Sequence, residues 1–177
     1  MFFVKSEEEL TVCPNCGCSL IYHSRVQRKS TDITGKVSIY SVRVLKCGNR
    51  ACPSTYHREL PNIMLPYKRY DTESIEDTLT YSKSEITVSA DESTIQRWRK
   101  WFAVNAVYII MALLSTSAEI TNGDESFSLE KIWQNLNESI KTIKKIVMRE
   151  TKWLNETVRI LVNSAKWVLN RSAYGSG

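Results

Sequence analysis

Five cysteines in two short runs constrain this chain more than any other feature. Cys13, Cys16 and Cys18 lie in CPNCGC, and Cys47 and Cys52 bound CGNRAC. Five thiols cannot all pair as disulfides, whereas a tetrahedral metal takes four. Cys13-x2-Cys16 followed by Gly17 has the form of a knuckle, in which a tight turn aims two thiolates at one ion and glycine relieves the chain reversal. Between the two runs, YHSRVQRKSTDITGKVSIYSVRVLKC is dense in β-branched residues. Tyr40, Val42 and Val44 alternate there with Ser41, Arg43 and Leu45, and STDITGK supplies a connecting loop. This reads as a β-hairpin that returns Cys47 and Cys52 to Cys13 and Cys16. The expected product is a zinc ribbon with Cys13, Cys16, Cys47 and Cys52 as a closed, structural Zn2+ site. The second pair is separated by four residues rather than two, which keeps Cys18 as an alternative to Cys16, and His57 as an alternative to Cys52. His23, inside the first strand, reads as a surface or packing residue. A lone hairpin buries too little to be stable in water, so the metal supplies that stability. Chelation is then expected to unfold residues 12–58 and to spare the helices.

Charge follows the cysteines. Residues 1–70 carry eleven Lys/Arg and five Asp/Glu, a net of +6, while residues 71–177 carry thirteen and fourteen, a net of −1. A basic end of this kind suits a polyanion. The opening MFFVKSEEEL lacks the basic-then-apolar form of a secretory signal. The longest apolar run, FAVNAVYIIMALL at 102–114, is interrupted by Asn105 and falls short of the roughly 20 residues a spanning helix needs. It reads as a buried helix, with no membrane role. The expected compartment is the cytoplasm, where reducing conditions favour metal over disulfides at cysteine pairs.

The expected fold class is α+β, with a small zinc ribbon followed by helices. Residues 1–60 form the ribbon, and 61–70, with its two prolines, an extended connector. Residues 71–118 hold a helix-turn-helix with an extended apolar helix, and 126–172 a C-terminal helical pair. Asp71 or Thr72 caps the first helix, which places Ile75 and Leu79 on one face, and Asp91 caps ESTIQRWRKWF, where Ile95, Trp98 and Phe102 form an apolar stripe. In the tail, Leu129, Ile132, Trp133, Leu136, Ile140, Ile143 and Val147 make one stripe. Leu154, Val158, Leu161, Ala165 and Val168 make another, as in an antiparallel pair. Trp153 and Trp167 lie off these stripes and suit either an interface or the core.

In a helix-turn-helix the second helix enters the major groove, and its first turns reach base edges. Ser93, Thr94, Gln96, Arg97 and Lys100 occupy those positions. Arg97 suits guanine and Gln96 suits adenine, while Arg99 and Lys100 suit phosphates. Arg25, Arg28, Lys29, Lys36 and Arg43 add cations along the hairpin, and Lys68 and Arg69 extend them toward the helices.

In order along the chain, CPNCG, LPNIMLPYKRYD and ESTIQRWRKWF resemble the short zinc-ribbon plus helix-turn-helix proteins of Gram-positive bacteria. These are similar to N-terminal regions of transposases and are associated with mobile elements. The resemblance covers residues 11–102 and implies DNA binding in transposition or its regulation. It also implies the four cysteines above as ligands and the helix from Asp91 as the recognition element. The wide Cys47–Cys52 spacing and the additional Cys18 depart from that pattern. A second expectation is a protein-interaction adaptor that docks a transposase, an ATPase or RNA polymerase through the ribbon and tail. The tail also suits a homodimer. An enzyme is not expected, because the acids are scattered and no nucleophile signature or phosphate-cradling glycine loop is present.

Overall fold

The computed structural model describes residues 1–3, 12–13, 15–117 and 135–163. It is α+β: a small sheet precedes four helices among the described residues. The long hairpin is β2 (Leu20–Thr31) and β3 (Val37–Cys47), paired antiparallel from Leu20↔Cys47 to Thr31↔Val37, with a register irregularity between Tyr22 and Ser24. The other edge of β3 is shared. β1 (Phe2–Phe3) runs parallel to it at Tyr40 and Ser41, and β4 (Tyr56–Arg58) runs antiparallel at 44–46. The loop at 32–36 closes on Asp32, whose carboxylate accepts from the Thr34 amide, the Thr34 hydroxyl and the Lys36 amide.

The hairpin tip is tied to the rest of the chain. The Thr31 amide donates to the Arg69 carbonyl, the Asp71 amide to the Thr31 carbonyl and the Ser89 amide to the Ile33 carbonyl. Ile33 packs against the helical core. The connector differs from the extended expectation. Met64 and Leu65 are buried, turns form at 62–63 and 66–67, and Met64 bridges to Asp71. Its prolines act as turn formers, and Leu65, one of the apolar pair between them, is buried in the helical core.

The helices are α1 (Thr72–Thr80), α2 (Glu92–Ser117), α3 (Leu136–Val147) and α4 (Trp153–Asn163). Asp71 caps α1, accepting from the Ser74 amide at 2.8 Å. Ile75, Leu79, Ile95, Trp98 and Phe102 are buried in one cluster with Ile140, Ile143, Val147, Leu154, Val158 and Leu161. The parts of the expected tail stripes that fall within 135–161 are therefore packed on this chain's own helical core. Leu129, Ile132, Trp133, Ala165, Trp167 and Val168 lie outside the described residues.

Three features of the helical part differ from expectation. The basic segment and the apolar run form one continuous helix, because nothing between Phe102 and Leu114 breaks it. The apolar run is also not buried all round: Val104, Tyr108 and Met111 face outward. The link between α1 and α2 spans residues 81–91, longer than the 3–4 residues of a helix-turn-helix turn.

Asp91 begins α2. Its carboxylate accepts from the Ser93 hydroxyl and from the Thr94 amide and hydroxyl, which hold it at about 2, below the ordinary 3.8. A depressed carboxylate stabilises the fold above its unfolded value and loses that contribution as pH falls through the folded one. Thermal melts of the native chain should therefore show a decline from about pH 4 toward pH 2 that is reduced in Asp91→Asn, which keeps a capping oxygen without the charge. Equal acid limbs in both proteins would show that the charge contributes nothing.

Candidate metal centre and basic surface

The Sγ atoms of Cys13, Cys16, Cys47 and Cys52 all lie within 4.8 Å of one another. Cys13 and Cys52 are 3.6 Å apart, and Cys16 and Cys47 are 3.5 Å apart. Thiolates around a tetrahedral zinc at about 2.3 Å stand about 3.8 Å from each other, so the donor set fits such an ion. Backbone geometry explains the convergence. The Cys13 amide donates to the Cys18 carbonyl and the Gly17 amide to the Cys13 carbonyl, each at 2.8 Å, while Gly17 takes φ +70°, a left-handed conformation natural to glycine. The wider second loop is organised by Asn49. Its side chain accepts from the Ala51 amide at 2.9 Å, and its carbonyl accepts from the Cys52 amide at 3.1 Å. The two loops are joined where the Gly48 amide donates to the Ser19 carbonyl.

The thiols are electrostatically unequal. The hydrogen bond from the Cys18 backbone draws Cys16 down to about 6, whereas burial pushes Cys47 up to about 12. A metal ion would take all four as thiolates and release their remaining protons. Cys18 is exposed and stands outside the cluster. His57 is buried beside it, with Nε2 at 3.4 Å from Cys13 Sγ and 3.1 Å from the Ser54 carbonyl. Burial lowers its pKa, so the ring is neutral at neutral pH. It touches one corner of the sulfur cluster rather than completing it. His23 is exposed and packs on Tyr56.

The cations considered for DNA contact do not form one stripe. Strand alternation sends Arg25, Lys29 and Arg43 to one face of the hairpin and Arg28 to the other. Arg43 is neutralised by a bidentate pair with Glu59, and Arg25 donates to the Ser41 carbonyl. Lys29, Lys36, Arg69 and Lys100 are exposed. On α2, Gln96 bonds Glu92, and Arg97 folds back on Ser93 and Thr94. Arg99 takes a role that its spacing does not reveal: its guanidinium donates to the Thr78 and Tyr81 carbonyls and caps the end of α1.

Three of the expected cations come together on one side. Arg28 reaches the Lys68 carbonyl at 3.5 Å, and the Lys68 ammonium sits 4.8 Å from the centre of the Trp101 ring. Burial, then the charge of Arg97, lowers the Lys68 pKa; burial, then the charge of Arg58, lowers that of Arg28. Arg58, Tyr67 and Trp101 therefore join the surface. Sequence reasoning missed them, although the density of cations and aromatics in PYKRY and RWRKW is the signal that marks Tyr67 and Trp101.

The fold and site thus define an α+β domain with a four-cysteine centre able to hold a metal. Residues 13–98 match a family described as a domain of unknown function (DUF6431). No curated protein and no solved structure matches the chain. None of the described helices is long and apolar enough to cross a membrane.

Proposed function

We propose that this chain is a DNA-binding protein whose hairpin is held by one structural zinc ion on Cys13, Cys16, Cys47 and Cys52. It acts in transposition or another mobile-element process, or in transcription regulation. The observation that carries this reading is the surface joining Arg28, Lys68 and Arg97, which links the hairpin to the first turns of α2. Phosphates are held by Lys68, Arg28 and the exposed Lys100, and Arg97 and Gln96 leave their present partners within α2 to reach base edges.

The test is duplex binding across a salt series, measured by fluorescence anisotropy with fragments selected from random DNA. Log affinity should fall with log salt by about 0.9 for each phosphate neutralised. Arg97→Ala should cost about 1–3 kcal/mol on the preferred fragment and relax the choice of base there. Affinity that is flat with salt, or a preference indifferent to Arg97, would contradict the proposal.

A second reading, the interaction adaptor, draws on Trp101, Val104, Tyr108 and Met111. They recur at three- and four-residue steps along α2, with Val104, Tyr108 and Met111 exposed and Trp101 half-buried at the edge of the core, a spacing that suits a partner helix. It expects Val104→Lys to abolish partner binding while leaving DNA affinity intact.

A further inference from the structure

We propose that Tyr67 stacks on an unpaired base of a nucleic-acid strand whose adjacent phosphates lie against Arg28 and Lys68. The inference rests on the nucleic-acid-binding reading above and deepens it, because it names single-stranded or strand-end nucleic acid as a ligand of the same surface.

The backbone supplies the first observation. Leu65, Pro66, Tyr67 and Lys68 form a turn closed by the Lys68 amide on the Leu65 carbonyl at 3.2 Å. Proline in its second position and a left-handed residue in its third are the pattern of a type II turn, where glycine is the natural occupant of that third position. Tyr67 occupies it with φ +57°, and its side chain projects outward, 52% exposed. A bulky residue held in this conformation costs free energy, and such strain concentrates at binding sites. The ring does not offset that cost by burial in the core.

The surroundings supply the second. Arg28 is half-buried, and its Nε is buried without a hydrogen-bond acceptor among the described residues. The groups close to it in charge are Arg58 and Tyr67. Lys68, also half-buried, lies over Trp101 and faces Arg97. Asp91 is within reach of Arg97, but it is engaged by Ser93 and Thr94. Half-buried cations set beside other cations are a poor arrangement for an isolated protein and a good one for an anion that accepts from them. An exposed ring amid such cations is the construction that holds single strands, with backbone on charge and base on aromatic face.

The experiment uses the full chain and three probes: a single strand carrying a fluorescent adenine analogue quenched by stacking, the matching blunt duplex, and that duplex with a single-stranded overhang. The native chain should bind the single strand and overhang and quench the analogue. Tyr67→Ala should weaken single-strand binding about 5- to 100-fold and abolish the quench, with little change on the blunt duplex. Tyr67→Phe should bind as the native chain does. Tyr67→Gly should melt at a higher temperature than Tyr67→Ala because glycine accepts the left-handed backbone, and yet bind single strands as poorly. Native-like single-strand binding or quenching by Tyr67→Ala and Tyr67→Gly, with duplex binding intact, would overturn the stacking inference alone. Failure of the native chain to bind any of the three probes would overturn the nucleic-acid reading itself.

Discussion

Replacing Cys47 by serine, or stripping metal with a strong chelator, should open the base of the hairpin while its tip and the helices stay folded. The asymmetry follows from where each half of the hairpin is anchored. At the base, Cys13, Cys47 and Cys52 form their own small buried cluster with Leu20 beside it, too little apolar surface to hold four loops and strand ends together. Metal–thiolate bonds are the substitute, and their free energy is folding free energy for this part. At the tip, bonds from Thr31 and Ser89 and the packing of Ile33 belong to the helical core. The sequence-based expectation that residues 12–58 unfold as a unit is thereby narrowed to the base, residues 12–25 and 42–58. Hydrogen exchange followed by mass spectrometry reads this directly. Amides around Cys13, Leu45 and Cys52 should lose protection, and those around Ser30 and Ile75 should keep it. Cys18→Ser should leave both sets unchanged. Full protection at the base after verified metal removal would show that metal is not what holds it.

Trp153→Ala should be the most damaging single change in the helical part, at about 3–5 kcal/mol. The indole is fully buried, meets Phe102 edge-on with centroids 5.6 Å apart, and donates from Nε1 to Thr80 Oγ1. One ring thus joins α1, α2 and the start of α4. Glu76 works at the same junction, accepting from the Lys152 and Leu154 amides and so capping α4 from another helix. A loss of this size is a large share of the roughly 5–15 kcal/mol that stabilises a typical domain. Equilibrium urea unfolding should show the midpoint falling steeply in Trp153→Ala and much less in Trp153→Phe, which keeps a ring against Phe102. Equal stability in the native chain and Trp153→Ala would remove this residue from the core.

The elements that were legible in the sequence are those whose causes are local. CPNCG names its own turn, the β-branched run names a hairpin, and Asp71 and Asp91 mark helix starts by the side-chain chemistry of capping. The convergence of four cysteines followed because a hairpin of any ordinary length returns its ends together. What escaped depends on register or on distant partners. The face on which each strand cation points is set by the pairing of β2 with β3, including the irregularity at Tyr22–Ser24, so Arg25, Arg28, Lys29 and Arg43, four cations in sequence, became two sets in space. Arg99 caps α1 and Glu76 caps α4, contacts that helical periodicity does not encode. The wide Cys47–Cys52 spacing became intelligible only with Asn49 shaping the loop.

X-ray absorption at the zinc edge of the purified chain tests the four-thiolate centre most directly. One zinc per chain is expected, with four sulfur neighbours at about 2.3 Å and no nitrogen, and the spectrum should be unchanged in Cys18→Ser and His57→Ala. Three sulfurs with one nitrogen that disappears in His57→Ala, or a folded chain without bound zinc, would contradict a centre made from Cys13, Cys16, Cys47 and Cys52.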